Sequence, residues 1–476
     1  MIAFKAAVPA PAGRWDAVVV GAGVAGLAAA IHLRRGGLSV VCIEPEPFPR
    51  PRVGESLDWS SPSLLRELGL SAEALIAGRA ATLKSNIKVV STDRPPFLGE
   101  PPDWWGRRPL GFEVETLHAD RVEMDRRLFL LAQELGVDFV WDRVARVVAA
   151  GAPEAAEAPE AMVTSAAAGA AKATADAIAA VETAGGRRFE ASWFLDAAGR
   201  GGRLFARRFA IPKVDYGEKK VCLWIYLATP HDNPGTTFYV DSPAERYLSW
   251  IWEIPINPGV ASVGCVLTAE FVKEQRRAGR SPREILRGRL ALFPRFRPLL
   301  AGAAEVEVHS TAYQCHVHRS ACGPNWLILG EAAALHDALT GNGVTAAFRH
   351  AREGAALVLA ARSRGRLAAG QRRAYNRNLR RMGRMFNHGI ERGVYDWPIR
   401  WGLGLMAAQL VYVSCAFTLN ALYTKYPPRR WPGMLAFGLL LAGAWLWIEG
   451  WSLLGRIAWG VRSLGPRHKR AAAGAG

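Results

Sequence analysis

Three groups of residues in this 476-residue chain have types and spacings that could do chemistry. The first is Gly21-x-Gly23-x-x-Gly26, with Glu44 eighteen residues beyond its last glycine. Its first glycine permits a tight turn, its second lets backbone approach a pyrophosphate, and its third allows close helix packing. Helix N-terminal amides then face the phosphates, and Glu44 can accept from ribose hydroxyls. The second is Lys84 in "AATLKSNIKVV", an amine of the kind whose pKa shifts readily on desolvation. The third is "WIWEIP" (250–255), where Trp250, Trp252 and Ile254 recur at period two and share one face of a strand, ahead of Pro255. A core aromatic pair has the same spacing, and an isolated lysine is most often a solvated charge. The last two groups therefore depend on the elements around them.

Residues 16–44, "DAVVVGAGVAGLAAAIHLRRGGLSVVCIE", read as strand, glycine turn, helix and strand. "AATLKSNIKVV" (80–90) reads as one strand with Lys84 and Lys88 on a common face. The Ala-rich stretch 151–176 has little bulky apolar surface to bury and reads as an insertion. Aromatic and β-branched runs over 215–270 predict an antiparallel sheet, and beyond 345 the chain is helical and very basic. The run 401–424 has no charged residue and is long enough to cross a bilayer. A second apolar run begins near Gly433 and is interrupted by Glu449. Trp397, Trp401, Tyr423, Tyr426 and Trp431 cluster at the segment ends, and arginines before 401 and after 455 outnumber those in the connector. A membrane hairpin with both ends cytoplasmic is expected, with two buried core helices as the alternative.

The chain is 50% hydrophobic, so most of it should bury a core, and its formal charge of +18 suits an anionic partner. A membrane surface and an acidic carrier protein both qualify. No zinc-finger, basic-zipper or RNA-binding aromatic spacing accompanies the charge, so nucleic acid is not expected. The cysteines are scattered and imply no disulfide framework. "CHVHRSAC" (315–322) fits no standard zinc spacing and reads as strand and loop, so no metal site is expected. No signal peptide precedes the fold, which predicts a cytoplasmic catalytic part.

Two later segments say which dinucleotide is bound. "ASWFLDAAGRGGRLFARRF" (191–209) and "NWLILGEAAALHDALTGNGVTAAFRHA" (325–351) resemble the D-G and G-D segments of the FAD-dependent monooxygenase superfamily. The resemblance covers roughly 14–360. It implies FAD, with Asp196, Gly199, Arg121, Gly330, Glu331, Gly341, Asn342 and Gly343 near the cofactor. The usual aspartate is Glu331 here, and a common proline is Ala338. "PRPRVGESLDWSS" (49–61), with Arg52 and Gly54, resembles a segment shared by flavin-dependent halogenases and geranylgeranyl reductase-like proteins. "AATLKSNIKVV" resembles the segment carrying the halogenases' catalytic lysine, at Lys84. With W-x-W-x-I-P, all three halogenase landmarks occur in order, and the chain resembles the tryptophan-halogenase-like branch.

That resemblance implies a specific chemistry. Reduced FAD and oxygen give a C4a-hydroperoxide, halide attack gives hypohalous acid, and the oxidant travels to a lysine beside the substrate. Trp250, Trp252, Ile254 and Pro255 would form the partition between flavin and substrate, and backbone at Asn342 and Gly343 would cradle the halide. Reduced flavin would come from a partner reductase or from NAD(P)H. The general-base glutamate of tryptophan-specific members falls at Thr340, so free tryptophan is a poor substrate. A lipophilic or acyl-carrier-bound electron-rich molecule fits better. The alternatives are a hydroxylase or epoxidase, a geranylgeranyl reductase-like enzyme on a membrane lipid, and a non-catalytic flavoprotein. The expected architecture is α/β: a Rossmann-like FAD-binding domain (14–212, then 311–396 with the basic helices) interleaved with an antiparallel β-sheet substrate domain (213–310). C-terminal membrane-associated helices (397–460) and a basic tail (461–476) follow.

Overall fold

The computed structural model describes residues 14–391 outside 47–48, 59, 85, 92–96, 100–115, 151–176, 232, 241–248 and 303–305. Beyond these it describes Tyr395 and isolated helical positions between Leu439 and Leu453. The chain divides into two compact units, Met1–Asp241 with Ser249–Asn387, and Ser242–Leu248 with His388–Gly476.

The first unit begins as its periodicity dictates. Strand β1 (Trp15–Val20) leads through the glycine turn into α1 (Val24–Arg35) and back to β2 (Val40–Glu44). Apart from half-buried Asp16, both strands are buried along their length, as central parallel strands must be. Gly21 has φ +99°, and a Cβ there would lie 2.5 Å from the Ala197 carbonyl oxygen, so only glycine fits. Further along come β3 (Ala81–Lys84), β4 (Ile87–Ser91), β5 (Thr116–Ala119) and α2 (Arg121–Glu134). Asp120 caps α2, accepting from the amides of Val122 and Glu123, and so sets Arg121 at the first helical position. Strands β6 (Asp138–Trp141), β7 (Val144–Ala149), β8 (Ile178–Thr183) and β9 (Arg188–Asp196) follow. One sheet has the order β6–β2–β1–β9–β8–β7, parallel at its centre, and a short strand β15 (Trp326–Ile328) also pairs with β9.

The second sheet is largely antiparallel. It uses β10 (Lys213–Ala228), β11 (Thr236–Val240), β12 (Trp250–Asn257), β13 (Val260–Thr268) and β14 (His309–His318). Their order is β14–β10–β13–β12–β11–β4, as the aromatic runs over 215–270 predict. Helices α3 (Gly343–Ala360) and α4 (Ala369–Ile390) close the unit. The mixed α/β fold is thus two sheets with separate apolar cores, one around β1, α1 and α3 and one against the outer face of β12 and β13.

Two expectations meet the structure differently. "AATLKSNIKVV" is two strands, because Lys84 pairs with Thr116 in a small ribbon while Lys88 pairs with Thr237 in the large sheet. The lysines therefore do not share a face. The membrane hairpin (397–460) and the insertion (151–176) lie outside the described residues, apart from the isolated positions named above. Among the described residues no helix is long and apolar enough to cross a membrane. "CHVH" lies on β14, and Cys42, Cys222, Cys265, Cys315 and Cys322 are buried and form no disulfide with one another.

Candidate active site

A cavity opens where the glycine turn after β1, the segment 52–56, and the segment 335–343 leading into α3 converge. Gly23 borders it, and a Cβ there would meet nothing nearer than Arg52 Nη1 at 3.7 Å. Cβ atoms on Gly199 and Gly343, both on the wall, would meet nothing within 4 Å. This is backbone held clear for a ligand to approach. Arg52 projects into the same space with its buried Nε unpartnered. Open glycines, a helix start and an uncommitted guanidinium fit a dinucleotide pyrophosphate.

Of the expected residues, Gly54, Arg121 and Glu331 line the cavity, while Glu44, Asp196 and Gly330 support it from behind. Glu44 is buried at the end of β2, accepting from the Ala22 amide at 2.8 Å and the Glu46 amide at 3.3 Å. It braces the glycine turn through the Ala22 amide. Asp196 is fully buried and accepts from the amides of Ala198 (3.1 Å) and Phe205 (3.0 Å), pinning the loop that presents Gly199. Burial raises its pKa, opposed by those amides. Gly330 has φ +57°, and a Cβ there would lie 2.9 Å from Ala25 Cβ; Glu331 after it is on the wall, and Arg200 Nε stands 3.6 Å from its carboxylate. Arg121 forms a buried two-bond ion pair with Asp125 (3.0 Å each) and donates to the Val53 carbonyl at 3.1 Å. A Cβ on Gly54, at φ +118°, would lie 2.8 Å from its Nη1.

At the other end stands the aromatic strand. Trp250, Trp252 and Ile254 face the cavity, while Ile251 and Glu253 turn to the opposite core, where Glu253 meets Arg295 at 2.8 Å. Trp250 packs edge-on against Phe238 on β11 (5.5 Å) and tilted against Trp252 (5.8 Å). Opposite Trp252 is Gly264; a Cβ there would lie 2.5 Å from Trp224 Cβ and run into the Trp252 ring. The Trp252 indole donates to Ser262 Oγ at 3.1 Å, and Ser262 donates to Glu55 at 3.0 Å. Glu55 is buried, which raises its pKa, and Tyr226 also reaches it at 3.3 Å. Pro255 is off the wall.

Lys84 ends β3 and donates to Ser56 Oγ at 2.9 Å; Ser56 and Thr236 are wall residues, Lys84 is not. The amine therefore touches the cavity through a hydroxyl. Burial lowers its pKa from 10.5 to about 8, with Asp58 opposing. Asn342, at the start of α3, is fully buried and donates to Asp58 at 2.8 Å, so any halide there would meet backbone amides rather than its side chain. A Cβ on Gly341, at φ +60°, would lie 2.7 Å from the Ser56 carbonyl oxygen. Sequence reasoning missed Glu55, Ser262, Thr236, His118 and the fully buried Lys220–Asp337 pair (3.1 Å). The lysine in the middle of β10 and the "GES" glutamate were their only signals.

Comparison with known proteins identifies the family. Residues 16–64 match an FAD-binding domain model, and residues 115–388 match the tryptophan halogenase model. A tryptophan 2-halogenase of Chondromyces crocatus is 29% identical over 350 residues, covering 72% of this chain and 60% of its own length. A brominase of pyrrole-2-carbonyl-[peptidyl-carrier protein] from Pseudoalteromonas luteoviolacea is 24% identical, covering 70% of this chain and 75% of its own. The solved flavin-dependent brominase Bmp2 shares the fold at TM-score 0.61 and 21% identity, covering 90% of this chain and 94% of that one. The cofactor is FAD, and the chemistry of the open glycines and Arg52 is compatible with it. Matched by its model over more than half of its length, the chain belongs to the tryptophan halogenase family.

Proposed function

We propose that this protein is an FAD-dependent halogenase that passes an oxidised halogen through Lys84 to a lipophilic or carrier-tethered electron-rich substrate. The bound flavin would supply the reducing equivalents that turn oxygen and halide into hypohalous acid. Gly23, Gly199, Arg52 and Arg121 hold the dinucleotide, and the backbone amides at 342 and 343 hold the halide. The observation carrying the reading is the face of Trp250, Trp252 and Ile254 lining the cavity, with Lys84 outside it and bonded to the lining residue Ser56. That arrangement supports a small oxidant passing while a bulky substrate is kept from the flavin. The domain division given above stands as part of this proposal, with the β-sheet domain contributing wall and substrate side.

For the partner, α4 supports an anionic surface. Arg373, Arg377, Arg380 and Arg384 are exposed and recur at helical spacing along one side, while Tyr375, Leu379, Met382 and Phe386 bury the other. In sequence this stripe precedes the uncharged run 401–424. We assign a membrane surface as the partner, with the catalytic unit on its cytoplasmic side and reduced flavin delivered by a separate reductase. The decisive experiment supplies reduced FAD, oxygen and bromide with phenolic, pyrrolic, carrier-bound and polyene substrates, read by mass spectrometry. A bromine isotope pattern supports halogenation; an added oxygen or two added hydrogens instead would replace it with the hydroxylase or reductase reading.

A further inference from the structure

Lys84 is tied to a second buried titratable group that the reading above leaves idle. Its ammonium donates to Ser56 Oγ at 2.9 Å, Ser56 Oγ lies 3.3 Å from Thr236 Oγ1, and Thr236 Oγ1 lies 2.9 Å from His118 Nε2. His118 is fully buried. Across its ring, Nδ1 stands 3.4 Å from Thr82 Oγ1, and that hydroxyl donates to the Pro255 carbonyl at 2.5 Å. The Thr82 hydrogen is already engaged, so Thr82 accepts and Nδ1 carries the imidazole proton. Nε2 is left with a lone pair aimed at Thr236. The hydroxyls then order in one direction: Lys84 donates to Ser56, Ser56 to Thr236, and Thr236 to His118. Backbone pairing fixes the ends, since Ser56 bridges to His118 and Lys84 pairs with Thr116 two residues away.

We propose that His118 takes up the proton released when Lys84 passes from ammonium to amine, through the Ser56 and Thr236 hydroxyls. The proposal rests on Lys84 being the halogen carrier. The lysine proton moves along the chain and imidazole becomes imidazolium. The free amine then attacks the halogen of hypohalous acid: an N–halogen bond forms, the halogen–oxygen bond breaks, and the departing hydroxide takes an amine hydrogen to leave as water. When an electron-rich carbon receives the halogen, the N–halogen bond breaks and the carbon's hydrogen passes to nitrogen. The proton on His118 returns, restoring the ammonium. His118 acts through Lys84 rather than on substrate, so it is a positioning residue for a proton.

The charges around the chain set where the proton rests. Burial holds His118 well below the ordinary histidine range, with Lys84 and His231 adding to that, while Asp58 faces Lys84 and favours its charge. At rest the proton therefore sits on Lys84. Above the lysine pKa of about 8, solvent removes it and the relay becomes dispensable. This yields a test that needs neither bound flavin nor a known substrate. Full-length protein is mixed with one equivalent of hypochlorous acid at pH 6 to 9, quenched, and the Lys84 peptide is assayed for chlorine in place of hydrogen. Wild type and Thr236→Ser should chlorinate Lys84 at pH 7. His118→Gln and the near-isosteric Thr236→Val should do so about tenfold or more slowly, with the gap closing by pH 9. Equal labelling of all four proteins at pH 7, or a deficit of the same size at every pH, overturns the relay. No labelling of Lys84 in wild type at any pH overturns the halogen-carrier reading with it.

Discussion

At the scale of single residues, the site separates glycines with open space beside them from glycines the fold itself requires. A side chain at Gly23 has room, whereas one at Gly21 meets the Ala197 carbonyl at 2.5 Å. Gly23→Asp should therefore fold with near-native thermal stability yet lose FAD, because its carboxylate enters the space of an anionic pyrophosphate. Flavin absorbance after gel filtration checks this, and stoichiometric flavin in the variant would sink the site assignment. Lys84 has a folded pKa of about 8, below the unfolded 10.5, so the unfolded chain binds more protons between those values and stability should rise with pH across that window. At pH 7 the charged amine is a cost, and Lys84→Met should stabilise by about 1–3 kcal/mol while ending halogen transfer. Thermal melts and product mass spectra read the two effects. A destabilised or fully active variant contradicts the account. His118 had no sequence signal, because a histidine inside "TLHAD" is indistinguishable from any buried strand residue until Thr236 arrives beside it.

At the scale of elements, β12 is a wall because it is sandwiched. Its face of Trp250, Trp252 and Ile254 looks into the cavity and its face of Ile251 and Glu253 anchors in a second core, so neither can relax without moving the other. Trp252→Ala should cost about 3–5 kcal/mol as a buried aromatic truncation and open the partition. Product analysis should then show halogenation falling and oxygen insertion or uncoupled peroxide rising; unchanged partitioning would mean that the strand is core only. Gly264→Ala should act similarly from the neighbouring strand, since its new methyl displaces the Trp252 ring. The glycine turn, the antiparallel sheet and the basic helices were legible from period and composition. The split of "AATLKSNIKVV" was not, because both halves carry strand-forming residues and only their separate partners, β5 and β11, pull them apart.

At the scale of the whole molecule, the charge of +18 is concentrated in part along one line. Arg373 to Arg384 span about 16 Å of helix, enough to meet several anionic headgroups at once. Full-length protein should sediment with vesicles containing anionic phospholipid and much less with neutral ones. Replacing all four stripe arginines by glutamine should weaken that binding severalfold and flatten its salt dependence. Equal sedimentation with both vesicle types and with the variant would assign retention to the apolar C-terminal runs alone.

The sequence by itself determined the dinucleotide turn and the period-two tryptophan face, since each depends on residue types at fixed local spacing, while FAD followed from the resemblance of three separate segments to a known family. Tertiary structure alone decided which face of β12 meets the cavity and that Lys84 lies outside it, bonded to the lining residue Ser56. It alone joined Lys84 to His118. These relations link residues separated by up to 180 positions, and no local periodicity encodes which buried hydroxyls will meet once the two sheets close.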